Sequence, residues 1–82
     1  MIQISLDILY VGATVKYIDA TTEFQDKNGQ RHHIDVSKIY GTIIGDCDNQ
    51  KGKWSVKLAN VKQYYPDFPI IWYIPKHKLE LY

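Results

Sequence analysis

The sequence predicts an all-β fold, a small domain of roughly five to seven short strands, and three observations point that way. Apolar residues alternate with polar ones along much of the chain, as in Ile2, Ile4, Leu6, Ile8 and Tyr10 or in Trp54, Val56 and Leu58. That period of two turns one face of an extended strand toward a core. The alternating runs are rich in β-branched and aromatic residues, which suit a pleated surface. Turn formers such as Lys27-Asn28-Gly29 and the run CDNQKG separate them.

The first alternating run, residues 2–10, places Gln3, Ser5 and Asp7 on its wet face, and Gly12 then marks a bend. Residues 14–18 (TVKYI) form the next strand, with Val15 and Tyr17 on one face. A long hairpin follows, and its turn sets the register. A two-residue Asn-Gly loop would put Phe24 on the face opposite Ile34 and Val36. A three-residue loop Lys27-Asn28-Gly29, with Gly29 in the left-handed position of a bulge, instead pairs Phe24, Thr22 and Ala20 with His32, Ile34 and Val36. The adjacent histidines then part: His32 faces Phe24, and His33 lies among Glu23, Gln25, Arg31 and Asp35.

Residues 39–46 (IYGTIIGD) form a strand in which Gly41 and Gly45 permit close approach or a bulge. In the next strand Trp54, Val56 and Leu58 face the core, and Lys53 and Lys57 continue a lysine stripe from Lys51. Residues 60–69 (NVKQYYPDFP) are a loop, because Pro66 and Pro69 exclude a central strand. Residues 70–74 (IIWYI) are a strand bracketed by Pro69 and Pro75, with Ile70, Trp72 and Ile74 on one face and Ile71 and Tyr73 on the other. PKHK is a tight or helical turn, and LELY closes the chain as a short strand.

With 82 residues, 45% hydrophobic and 23% charged, the chain has room for one domain, residues 1–82. A net charge of +1 gives no strong field to draw in nucleic acid or a membrane. No apolar run approaches the ~20 residues of a membrane span. The single Cys47 cannot form an internal disulfide, which fits a reducing cytoplasm. Nine of the ten basic residues are lysine, a bias expected of an AT-rich genome.

The segments VGATVKY, YGTIIGD, KWSVKL and YIPKHKLELY, in that order around a hairpin-bearing first loop, resemble an SH3-like small β-barrel of the Tudor, KOW and SH3 type. The resemblance covers residues 11–82 and leaves residues 1–10 as an extra N-terminal strand. Trp54 stands where the family has a tryptophan and Pro75 where it has a proline. Lys78 replaces the tyrosine of the proline-led turn, and no ALYDY-like stretch is present, so the resemblance does not extend to polyproline recognition. It implies a binding module and not an enzyme, with the ligand left open.

The residues themselves offer four kinds of chemistry. His32, His33, His77 and Cys47 show no metal-ligand spacing, so no metal or cofactor is expected. His33 with Asp35 lacks a nucleophile at any recognisable spacing, so no catalytic residue is expected. Lys51, Lys53, Lys57 and Lys62 could track a phosphate backbone, the alternative function, although three or four such contacts bind weakly. The strongest feature is aromatic. Strand 70–74 is apolar on both faces, and a domain this small has one interior. The N-terminal strand, the YYPDFP loop or a partner must cover the second face. Where neither segment does, Tyr64, Tyr65, Phe68, Ile71 and Tyr73 form the expected protein-binding surface, while Tyr17, Tyr40 and Trp54 are candidates for a cation cage. The leading expectation is a non-enzymatic protein binder, compatible with a phage or prophage product that inhibits a host protein such as a defence nuclease.

Overall fold

The computed structural model describes residues 9–47 and 51–82. Its elements are β1 (Thr14–Tyr17), β2 (Thr21–Gln25), β3 (Arg31–Asp35), β4 (Tyr40–Asp46), β5 (Lys53–Leu58), the short helix α1 (Val61–Tyr64), β6 (Ile71–Pro75), a single 3-10 turn (Lys76–Lys78) and β7 (Leu79–Leu81). The fold is therefore mostly β. All but the last two residues of the expected N-terminal strand lie outside the described residues, as does the middle of the turn between β4 and β5.

Five strands make one antiparallel sheet in the order β6-β5-β4-β1-β7, and β2 and β3 make a separate two-stranded hairpin. Among the described residues no ladder joins β6 to β7, so the sheet is open at both edges. The hairpin has the register that turn chemistry dictates: Phe24 opposes His32, Thr22 opposes Ile34, and Val36 N–H donates to the Ala20 carbonyl. Asp26 N–H donates to Gln30 O, which leaves Lys27, Asn28 and Gly29 as the loop, and Gly29 sits at φ +83°.

The core follows the alternation. Val15, Tyr17, Ile34, Val36, Ile39, Ile43, Val56, Leu58, Trp72, Ile74 and Leu79 are all buried, drawn from both sheets. Gly41 is demanded by the close crossing of β4 and β5, since a Cβ there would lie 2.6 Å from the Lys57 carbonyl oxygen. Past Ile43 the β4–β5 ladder shifts register, and Ile44 turns out to solvent.

Three details depart from expectation. Residues 60–69 are not all loop: Val61–Tyr64 winds one helical turn, which buries Val61 in the core. Pro75 belongs to β6, where its missing N–H costs nothing at the end of an edge strand. Ile70 precedes β6 and is exposed, so the burial of the Trp72 and Ile74 face ends before it, although its carbonyl still accepts from Leu58 N–H.

Candidate functional site: a groove between the hairpin and the sheet edge

The hairpin meets the sheet through aromatic side chains. Phe24, on the inner face of β2, stacks on Phe68 at 4.3 Å and on Trp72 of β6 at 4.9 Å between ring centroids. His32, opposite Phe24, tilts against Phe68 at 5.7 Å, and Tyr17 of β1 meets Trp72 edge-on at 6.4 Å. The Trp72 indole N–H donates to the Pro69 carbonyl at 2.6 Å, tying the loop to the strand it precedes.

Above this cluster lies an open groove of about 1150 Å³. One wall is β2 and its turn, the other is β6, and Phe24, Phe68 and Trp72 line it together with Tyr17. Ile71 and Tyr73 stand on its rim, 39% and 53% exposed, beside Lys53. The β2 turn is braced by Asp26, whose carboxylate takes one ring nitrogen of His32 at 2.9 Å and the backbone N–H groups of Asn28 and Gln30, each at 2.9 Å. The His32 hydrogen bond, followed by that of Gln30, holds the Asp26 carboxyl below its ordinary range. Burial pushes the Tyr17 phenol above its ordinary range.

The chain matches no family model, curated protein or solved structure.

The expected aromatic surface is therefore judged on geometry, and the structure divides it. Phe68, Ile71 and Tyr73 come together at the groove. Tyr65 does not join them as a free contact residue: its hydroxyl donates to the Asp35 carbonyl at 2.8 Å and accepts from the Asp35 N–H at 3.1 Å, and its ring stacks on Phe68 at 5.2 Å. Tyr64 is exposed and lines a separate hollow of about 170 Å³ with Asp35, Lys38 and Ile39. The cation cage is not assembled. Tyr17 packs on Trp72, Tyr40 stacks on Tyr82 at 4.8 Å, and Trp54 lies under the Lys76 ammonium at 4.3 Å.

Of the lysine stripe, Lys53 and Lys57 share the outer face of β5 with Ser55, Lys51 is exposed in the turn before β5, and Lys62 on α1 donates to the Pro66 carbonyl at 2.9 Å. His32 and His33 bond to different partners, Asp26 and Thr21. Among the described residues no three His, Cys, Asp or Glu side chains converge on a point that could hold a metal ion, and no helix is long and apolar enough to cross a membrane.

Among the groove residues that sequence reasoning did not assign to a site are Phe24, His32 and Trp72. Register placed Phe24 beside His32, but nothing in the sequence tells which loop will lie against the hairpin.

Proposed function

We propose that this protein is a non-enzymatic binding module that engages a protein partner in the groove between β2 and β6. The observation that carries the reading is the pairing of an aromatic floor with exposed Ile71 and Tyr73 on the rim, since apolar surface held open beside such a floor is what protein contacts use. The strand order β7-β1-β4-β5-β6, with the hairpin between β1 and β4 and a helical turn before β7, supports the SH3-like barrel reading. In that scheme the hairpin is the first loop of the barrel and flanks the binding face. A reducing cytoplasm remains the compartment that the lone Cys47 favours. A compact inhibitor of a host protein is one role such a module would fill.

The test is affinity capture with the full chain from its native host. Replacing Ile71 and Tyr73 by serine should remove the partner that the wild type recovers, and equal recovery by both would count against the groove. Replacing Lys53 and Lys57 by glutamate examines the nucleic-acid alternative. Retention of the wild type on single-stranded DNA or RNA at low salt, lost in that variant, would favour nucleic acid over protein.

A further inference from the structure

The groove is bounded by two strand edges that lack neighbours among the described residues, where β6 pairs only with β5 and β2 only with β3. Residues 71–75 of β6 and 22–28 of β2 and its turn line the groove without a gap. Side chains of a strand alternate between faces, so an unbroken run lining one hollow means that the backbone edge itself borders it.

The ladder parity shows which groups point there. Leu58 N–H donates to Ile70 O at 2.7 Å and Lys76 N–H to Gly52 O at 2.8 Å, so the even-numbered residues of β6 bond to β5. The N–H and C=O groups of Ile71 and Tyr73 therefore point away from β5. On β2, Val36 N–H to Ala20 O and Asp26 N–H to Gln30 O turn the even-numbered residues toward β3. The N–H and C=O groups of Glu23 and Gln25 then point away from it. Both edges thus offer donors and acceptors in strand geometry, and neither Ile71 nor Tyr73 is a residue that blunts an edge.

We infer that the partner binds as an extended strand inserted along the β6 edge, with apolar side chains facing the Phe24–Trp72 floor and acidic ones facing out. This rests on the protein-binding reading and names its mode. Strand addition supplies affinity through main-chain hydrogen bonds and specificity through alternate side-chain positions.

Charge selects the acidic outer face. Of the groove's own carboxylates, Glu23 pairs with Arg31 at 3.9 Å and Asp26 is held by hydrogen bonds to two backbone N–H groups and a His32 ring nitrogen, each at 2.9 Å, while Asp67 and Lys62 both line the groove. Lys53 lines the groove, Lys57 shares its outer face of β5, and neither has a carboxylate within ion-pair distance among the described residues. Across β6, Lys57 stands opposite Ile71 and Lys53 opposite Pro75. An added strand would lie about 10 Å from β5, two strand spacings away, within joint reach of a lysine and a glutamate. The matching ligand has acids at the outward positions flanking Tyr73.

The test uses the full ¹⁵N-labelled chain and a blocked peptide of about nine residues, valine at inward and glutamate at outward positions. Binding should slow hydrogen exchange at the Ile71 and Tyr73 amides and leave Trp72 and Ile74 unchanged. N-methylating the peptide on the edge that meets β6 should weaken binding about tenfold or more, as should exchanging its glutamates for lysines. Tyr73→Pro in the protein removes one outward donor without touching a β5 bond and should do the same. If that variant fails to fold, the methylated peptide decides alone.

Equal binding of the methylated peptide, with no protection at Ile71 and Tyr73, would overturn strand addition. Equal binding of the lysine peptide would overturn the acidic ligand. If no peptide binds yet the Ile71/Tyr73 serine variant still loses its captured partner, strand addition fails and the protein-binding reading stands. If that variant keeps its partner, the groove reading itself fails.

Discussion

The five-stranded sheet and the β2–β3 hairpin are held in different ways. Every strand of the sheet is joined to a neighbour by a backbone ladder, from β6 through to β7. Among the described residues the hairpin has a ladder only within itself. It is fastened to the sheet by Ile34 and Val36 in the core, by the Phe24 stack on Phe68 and Trp72, and by the Tyr65 hydroxyl on Asp35. A backbone ladder is insensitive to most side-chain changes, whereas a side-chain clasp loses its hold one residue at a time. Substitutions in the clasp should therefore loosen the hairpin locally, and substitutions at close crossings of the sheet should unfold the whole.

The largest effect is expected in the sheet. Gly41→Ala would drive a Cβ to within 2.6 Å of the Lys57 carbonyl and 2.9 Å of Leu58 Cα, both backbone atoms that cannot swing aside. A loss of about 3 kcal/mol or more should follow, read as a lowered denaturant midpoint. A midpoint near wild type would show that the β4–β5 crossing is not the tight point it is here.

In the clasp, Phe68→Ala removes the ring on which Phe24, Tyr65 and His32 converge. Phe68 is only partly buried, so the cost should be about 2–3 kcal/mol, below that of a fully buried phenylalanine. Hydrogen exchange should rise in β2 and β3 well before β4 and β5. Uniform loss across both sheets would mean that hairpin and sheet unfold as one unit. Tyr65→Phe leaves the stack and deletes two hydrogen bonds to Asp35, for about 1–2 kcal/mol.

The two regions were also unequally legible in the sequence. The hairpin could be read because its instructions are local: keeping Phe24, Ile34 and Val36 on one face selects a three-residue loop over a two-residue Asn-Gly one, Gly29 takes the left-handed position, and that register puts Phe24 opposite His32. The two faces of β6 were legible for the same reason, from alternation between prolines. Residues 60–69 were not, because their role depends on contacts far away in sequence. Tyr64 and Tyr65 look equivalent as neighbours in a proline-bearing stretch. One helical turn points the first to solvent and the second to Asp35, thirty residues away. The groove is formed where the local element meets the non-local one, so neither alone could announce it.

Acidification gives a smaller effect confined to the hairpin tip. Because the Asp26 carboxyl is held below its ordinary range in the folded protein, its contribution is present above the unfolded value of ~3.9 and is lost as pH falls through the lower folded value. Below about pH 4 the Asn28 and Gln30 amides, which donate to Asp26, should exchange faster while sheet amides hold. Asp26→Asn should abolish that pH dependence.

The smallest stability change is expected at the rim. Tyr73 is 53% exposed, its ring is not part of the stack, and its backbone polar groups point away from β5. Tyr73→Ser should therefore change stability by no more than about 0.5 kcal/mol, which separates it from Phe68→Ala a few residues away. If recognition runs through the groove, the same substitution should strongly weaken partner binding. A residue whose loss is silent in unfolding and loud in binding belongs to the surface the fold displays. A residue with the opposite profile belongs to the clasp that shapes that surface. Measuring both quantities on Tyr73→Ser and Phe68→Ala would assign each wall of the groove to one role or the other, and a Tyr73→Ser variant as unstable as Phe68→Ala would show that the rim is part of the clasp.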